Sequence, residues 1–460
     1  MTSITHKIKT GSLVLLAAVA VLTACNKEPE QFSDTPVVPV PGNRALGDTL
    51  AKIANDTMFY KVLARAGKLT LLNDKSKNFT IFAPDNNAIK TFITAASGGL
   101  IPTGSPDAVY VGFINTVLRT GQADTLVSYH IIPQSVPSAN IPTTAPNFPY
   151  PTMFNPASAL SAFARLDAYI SRRTNGAWKN NIPVIAPDIM AANGVIHTIA
   201  AVSVPPSQLL WQRIAADTGL TYLRAAIVRA DSGMTISTPG SLQYYLGSSA
   251  IALGANFTVF APTNDAFKAT IYQLAYPVVR GQVYQQAYPT IYTAVYQQIY
   301  NGAIAGGATP ADADSIATAQ APAIAAAQTA AYADANAPAI TTALASSPNI
   351  FQNPALFPYL TAQTVKGIIV YHVLAQRNFS VNIPTTTANL TTLLNTVFAT
   401  HPGIAATATF TGPFVSAATV KGVGNPSAAN VLINPFPGGS SDQHYVNGVL
   451  HKIDQVLIPQ

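Results

Sequence analysis

The sequence predicts an α+β chain of two related domains, the second enlarged by a mainly helical insertion. Three observations predict it. A segment reading NFTIFAPDNNAIKTF, from Asn78 to Phe92, returns as NFTVFAPTNDAFKAT, from Asn256 to Thr270. Two further landmarks, one built on Tyr-His and one on Asn-Gly-Val, recur behind each copy in the same order. Between its first two landmarks the second copy is longer: Asn78 precedes Tyr129 by 51 positions, and Asn256 precedes Tyr371 by 115. An internal repeat of this kind sets the organisation of the chain before any single element is read.

The chain opens on a processing signal. Lys7 and Lys9 form a positive start, and Leu13 to Leu22 is an apolar stretch too short to span a membrane. It ends in Leu22-Thr23-Ala24-Cys25, which resembles a bacterial lipobox. Residues 1–24 are thus expected to be a lipoprotein signal peptide and Cys25 the lipid attachment site. Cys25 is the single cysteine of the 460 residues, which excludes a disulfide scaffold and a cysteine metal cluster. Residues 25–44 carry Pro29, Pro36, Pro39 and Pro41 and read as a tether, reaching about 60 Å at roughly 3.1 Å per residue. Asn26 gives no argument for retention at an inner membrane.

The first domain is expected over residues 45–206. Leu50, Ile53, Phe59, Val62 and Leu63 follow helical spacing, and Gly67 stops the run. Phe79 to Phe82 is a short run of strand formers. Pro84 ends the strand, and Asp85 is placed to cap a helix with Ala88, Ile89 and Phe92 on one face. Tyr129-His130 follows an apolar run, and Asn-Ile-Pro-Thr-Thr starts eleven residues after the tyrosine, at Asn140. Asn193-Gly194 reads as the centre of a type I′ hairpin turn. The closing strand then alternates, with Val195, His197 and Ile199 on one side.

The second domain is expected over residues 207–460. Leu210, Ile214, Leu220, Leu223, Ile227 and Val228 repeat the opening pattern. Phe260, Pro262 and the cap Thr263 repeat the corner, and Ala266 and Phe267 the helical face. Tyr371-His372, Asn382–Thr386 and Asn447-Gly448 with His451 repeat the rest. The short Pro205-Pro206 link favours domains held close. The insertion is placed at residues 271–350. Tyr284, Tyr288, Tyr292, Tyr296 and Tyr300 recur at every fourth position, and an alanine-rich tract follows Gly306-Gly307. Alanine favours helix, so two or three helices packed on one another are expected. Pro289 interrupts the tyrosine row, so no single unbroken helix is expected there. The insertion should leave and re-enter the domain at close points, near Thr270 and Phe351.

These ordered motifs resemble the fasciclin (FAS1) family. The first motif looks like Thr80–Ile89 and Thr258–Phe267. The central one looks like Tyr129-His130 and Tyr371-His372, and the last like Asn193–Val202 and Asn447–Val456. The resemblance covers nearly all of the chain after residue 45. Asp85 departs from the family's usual threonine, and the Thr-Leu-Leu segment is clear only at Thr392–Leu394. The resemblance implies two β-sandwich wedges with helices along one edge. It also implies adhesion or binding to matrix, glycan or protein. The motif residues it marks are Phe82, Pro84, Tyr129, His130, Asn193, Gly194 and His197, then Phe260, Pro262, Tyr371, His372, Asn447, Gly448 and His451.

Composition agrees with an exported, packed chain. Hydrophobic residues make up 48% and charged residues 10%, which argues against disorder and against a nucleic-acid partner. The net charge of +6 falls when Lys7 and Lys9 leave with the signal, and the remainder is unclustered. No HExxH, GxSxG or phosphate-binding loop occurs, so no enzyme and no cofactor is expected. His130, His197, His372 and His451 sit in apolar runs without a recurring acidic neighbour, so a hydrogen-bonded structural role is expected over metal binding. The tyrosine row is either an aromatic ligand platform or a helix-packing face, and an inserted helix must bury some face. The expected function is a lipid-anchored, outer-membrane adhesion protein of the cell envelope, periplasmic or surface-displayed, with a protein or glycan partner. The alternative is a glycan-capture lipoprotein serving polysaccharide uptake.

Overall fold

The computed structural model describes residues 43–143, 147–159, 161–249, 251–356 and 359–460. The signal segment, Cys25 and residues 26–42 of the tether lie outside the described residues, as does Thr144.

The described residues form a mixed α+β structure with three sheets. The first copy of the repeat contributes helices α1 (Leu46–Leu50), α2 (Thr57–Arg65), α3 (Leu69–Leu72), α4 (Asn86–Ala96), α5 (Asp107–Thr116) and α6 (Thr120–His130). Its strands are β1 (Phe79–Pro84), β2 (Ile131–Ile132), β3 (Phe148–Pro151), β4 (Asp167–Arg173), β5 (Gly176–Lys179), β6 (Ile182–Ala191) and β7 (Gly194–Ile199). They form one sheet in the order β2-β1-β7-β6-β5-β4-β3. The opening helical run is broken in two, because the chain turns through a 3-10 segment at Ala54–Asp56 before α2.

The parallel pair β1 and β7 is buried at all six positions of each strand. A parallel pair needs both faces covered, and two apolar layers do this. Phe79, Ile81, Ala83 and Ile196 face the helices with Phe59, Leu63 and Ile89. Phe82 and Ile199 face the other way, against Tyr150, Ala168 and Ile170 of β3 and β4, so the sheet folds over on itself. The alternation read in the closing strand therefore separates two cores rather than core from solvent.

The second copy contributes α7 (Leu210–Ala216), α8 (Thr221–Ala230), α9 (Leu242–Gly247), α10 (Asn264–Ala305), α11 (Pro310–Ala345) and α12 (Ala362–Tyr371). Its strands are β8 (Phe257–Pro262), β9 (Val373–Leu374), β10 (Ala388–Leu390), β11 (Ile404–Thr411), β12 (Phe414–Lys421), β13 (Ala429–Asn430), β14 (Gln443–Tyr445) and β15 (Gly448–Ile453). β8 runs parallel to β15, from Phe257 opposite Gly448 to Pro262 opposite Ile453. In the first copy Phe79 stands opposite Gly194 and Pro84 opposite Ile199, so the register is the same. The single sheet of the first copy is here split into β10-β11-β12-β13 and β14-β15-β8-β9. The long β6 is matched only at its end, by β14, because Pro435, Pro437, Gly438 and Gly439 stand between β13 and β14.

Both helix caps behave as read: Asp85 Oδ1 accepts from Ala88 N at 2.7 Å, and Thr263 Oγ1 from Ala266 N at 3.2 Å. Two expectations are corrected. Pro289 does not divide the tyrosine row: α10 is one helix of 42 residues that continues through Pro277 and Pro289. Both prolines are exposed, as are Gln273 and Gln285 four residues earlier, so the carbonyls that lose a partner face water. The Asn-Gly turns are not type I′. The loop residues are Ala192-Asn193 and Val446-Asn447, with Ala191 paired to Gly194 and Tyr445 to Gly448. The non-glycine residues with positive φ among those described are Asn180, Asp188 and Asp442.

α10 and α11 form an antiparallel hairpin, tied by an ion pair from Arg280 to Asp334 and a hydrogen bond from Tyr296 to Asp314. On α11 the buried residues are Ala313, Ala317, Ala321, Ala325, Thr329, Ala333, Ala337, Thr341 and Ala345, every fourth position. On α10 the buried Ile271, Ala275, Val279, Val283 and Val295 keep the same step. A repeat longer than 3.6 residues stays in contact only if the pair wraps right-handedly. At the base of the hairpin Phe267 meets Phe351, with ring centroids 6.0 Å apart. Its base is continuous with the core, since Ala275 and Ala345 join the same apolar cluster as Phe267 and Ile350.

Candidate functional site

The recurring motif residues occupy matching places in the two copies. His130 and His372 close the last turns of α6 and α12. Nδ1 donates to the carbonyl four residues back, Leu126 or Ile368, at 2.8 Å in both. Nε2 accepts from Ser203 N at 3.1 Å and from Leu457 N at 2.8 Å. Each ring thus ties a helix end to the segment that follows the last strand. Burial pushes the His130 imidazole down to about 3 and His372 to about 4, so both are neutral at ordinary pH.

His197 and His451 lie on β7 and β15 with the opposite tautomer. Nε2 donates to Val136 O or Asn378 O at 2.9 Å in both, and Nδ1 accepts from Asp188 N or Asp442 N at 3.2 Å in both. The rings lean on Phe82 and Phe260, 5.2 and 5.6 Å between centroids. Burial lowers the His197 pKa as well. All four imidazoles therefore have both nitrogens engaged by backbone groups. Among the described residues no group of three or more His, Cys, Asp or Glu is arranged to hold a metal ion.

Asn193 and Asn447 are latches. Asn193 Oδ1 accepts from Leu46 N at 2.8 Å, and Nδ2 donates to Leu72 O at 3.0 Å and Asp74 O at 3.1 Å. Asn447 does the same with Leu210 N, Leu246 O and Tyr245 O at 2.9, 2.9 and 3.4 Å. The glycine that follows is required by close approach: a Cβ at Gly194 would lie 1.9 Å from Phe79 O, and at Gly448 2.4 Å from Phe257 O. Pro84 and Pro262 end their strands opposite Ile199 and Ile453.

The tyrosines differ between copies. Tyr371 donates to Gly403 O at 2.6 Å and accepts from Val423 N at 3.1 Å. Tyr129 donates to Asp167 O at 3.3 Å and accepts from Asn180 Nδ2 at 3.3 Å. Lys179, fully buried, sits 4.0 Å above the Tyr129 ring and donates to Ser203 Oγ at 2.6 Å. Burial drives its pKa well below the usual lysine value.

This cluster abuts the seam between the copies. Tyr169 and Trp178 pack with Phe379, Val381 and Val449. Trp178 Nε1 donates to Pro413 O at 2.8 Å, and Arg173 to Ile383 O at 2.9 Å. The buried Arg377 guanidinium lies 4.6 Å above the Tyr169 ring and donates to His444 Nε2 and to Val446 O. The two copies are thus clamped, as the short proline link suggested.

Sequence reasoning missed several framework residues. Asp188 and Asp442 have φ of 58° and 54°. Asp188 accepts from Ser138 N at 2.7 Å, and Asp442 from Ser380 N at 2.6 Å. Each stands five residues before its Asn-Gly, which is the signal that would have found them. Thr80 and Thr258 bridge Gln134 O to Val136 N and Gln376 O to Asn378 N, at 2.6 to 2.8 Å.

The tyrosine row is half-buried. The rings from Tyr284 to Tyr300 stack on one another along α10, with centroids 5.8 to 6.3 Å apart. Tyr288, Tyr292 and Tyr296 pack against Val295, Ala321 and Ala325. The row is a helix-packing ladder with one solvent edge.

Residues 54–205 match the family model of the Fasciclin domain. No curated protein matches the chain. Among solved structures, the chain is similar to the FAS1 domain pair from the insect cell adhesion molecule Fasciclin I. The identity is 14%, 87% of this chain and 96% of that chain are covered, and the TM-score is 0.29.

Proposed function

We propose that the chain, whose residues 54–205 match the Fasciclin domain model, is a non-catalytic adhesion or binding protein of the cell envelope. In this reading it is built of two fasciclin domains, residues 45–206 and 207–460. The observation that carries it is the engagement of the recurring polar residues. His130, His197, His372, His451, Asn193 and Asn447 all hold backbone groups of their own copy. Residues engaged in this way build a scaffold, and recognition falls to the surfaces the scaffold displays. Cys25 would carry lipid and residues 26–44 would hold the domains off the membrane. The α10–α11 hairpin is read as an excursion from the second domain. No helix of the described residues is long and apolar enough to cross a membrane.

Attachment tests this reading. Cells producing the chain should adhere to immobilised matrix protein or glycan more than cells carrying Cys25→Ser. Protease shaving of intact cells should release the domains if they are surface-displayed. Equal attachment with and without the chain would reject adhesion. Binding confined to soluble polysaccharide would favour glycan capture instead.

A further inference from the structure

We propose that the outer face of α11 is a self-association surface that pairs antiparallel with α11 of a second copy. One side of α11 is filled by α10. On its solvent side Ile316, Ile324, Tyr332 and Ile340 recur at every eighth residue and are 37%, 42%, 49% and 44% exposed. None of the four joins an apolar cluster of the described residues. The neighbouring outward positions Ala319, Ala323, Ala327, Ala331, Ala335 and Ala339 are exposed as well. The outward face of α10 is richer in polar residues, with Gln273, Gln285, Gln286, Thr290, Gln297 and Gln298 exposed, and its exposed large apolar residues, Leu274 and Ile304, lie far apart and form no row. A hairpin that only stood in water would be polar on both sides.

The occupant follows from charge, symmetry and size. Residues 310–345 contain no lysine or arginine, so the helix has no attraction for anionic lipid or nucleic acid. The acids of α11 are occupied elsewhere: Asp334 pairs with Arg280, Asp314 accepts from Tyr296, and Asp312 accepts from Thr309. The outer face is therefore uncharged between Asp314 and Asp334 and meets its own copy without repulsion. The apolar row is symmetric about Gln328. A two-fold axis there sets Ile316 against Ile340 of the second copy and Ile324 against Tyr332 of the second copy. The alanines between them let the helices approach closely. A helix of 36 residues is about 54 Å long, and a strip about 10 Å wide on each copy buries about 1,000 Å² in total, near the lower bound for a specific interface.

Sedimentation velocity on the full chain, carrying Cys25→Ser so that no lipid contributes, tests the proposal. With rising concentration the mass should move from one chain to two. Ile324→Asp with Tyr332→Asp should weaken the dimer at least about tenfold with unchanged helical circular dichroism. Gln298→Asp on α10 should leave it intact. Mixed Ile316→Cys and Ile340→Cys chains should cross-link to each other. A single-chain mass throughout would overturn the proposal, as would a dimer indifferent to the double substitution. Cross-linking of Ile316→Cys only to itself would overturn the antiparallel arrangement. Sedimentation with neutral vesicles by a chain that never dimerises would assign the face to lipid and overturn the proposal as well.

Discussion

Asn193→Ala is the substitution whose cost is best worked from the structure. The side chain is fully buried and makes three hydrogen bonds, to Leu46 N, Leu72 O and Asp74 O. Alanine leaves the Leu46 amide and the Leu72 carbonyl without partners in a dry site, at about 1–3 kcal/mol each. The Asp74 carbonyl is nearer the surface and is rehydrated at small cost. The expected loss is about 3–4 kcal/mol, or roughly 10 °C in melting temperature for a unit of this size. Asn193→Asp keeps the acceptor for Leu46 but turns a carboxylate toward two carbonyls, so it should be no milder. The chain has two tryptophans, Trp178 in the first copy and Trp211 in the second. Urea unfolding followed through variants retaining one tryptophan each would place the loss in the first copy. Asn447→Ala should place an equal loss in the second. A change below about 0.5 kcal/mol, the range of ordinary surface substitutions, would refute the latch.

Further outcomes follow from the same structure. His130, His197 and His372 have pKa values below the unfolded value of about 6.5, so stability should be full above that pH and fall as pH drops toward 4. The loss is about 1.4 kcal/mol per pH unit for each of His130 and His372 while its ring stays neutral, with His197 acting in the same direction, read as melting temperature against pH. Asp56 is fully buried, with one oxygen bonded to Thr198, and burial raises its pKa to about 6. Its stabilising protonated form is complete below about 3.8 and lost as pH rises through 6, so Asp56→Asn should add on the order of 1 kcal/mol at pH 8 and nothing at pH 4. Pro289→Ala should restore a hydrogen bond inside α10 and raise the stability of the hairpin by up to about 3 kcal/mol, measured by thermal melting of the helical signal. Replacing residues 280–340 by a short Gly/Ser linker, which spares Ala275 and Ala345, should remove mainly helical circular dichroism and leave cooperative unfolding.

The strand, corner and helix of each copy were legible because Phe79–Pro84 and Asn86–Ala96 are specified by local chemistry: β formers, a proline and a capping side chain. The burial of His130, His197, His372 and His451 was legible from their apolar neighbours. Three features were not. Asn193 and Asn447 act through side-chain bonds to residues more than a hundred positions away, which turn statistics do not contain. The helix through Pro277 and Pro289 is held by a partner helix, and tertiary contact overrides local propensity. The seam around Arg377, Tyr169 and Lys179 brings together residues from both copies that no spacing connects. The four-residue step of α11 was visible as alanine content, but its meaning depends on which side faces α10.

The recurring polar residues bond to backbone groups of their own copy, which is a framework role. Nitrogen-15 NMR of the histidine rings tests it most directly, because each nitrogen has an assigned partner. At pH 6 His130 and His372 should be neutral with the proton on Nδ1, and His197 and His451 should carry a proton on Nε2, which donates to a backbone carbonyl, all unchanged by added zinc. A His130 or His372 ring that titrates near 6.5, or any of the four whose resonances move with zinc, would contradict the framework role.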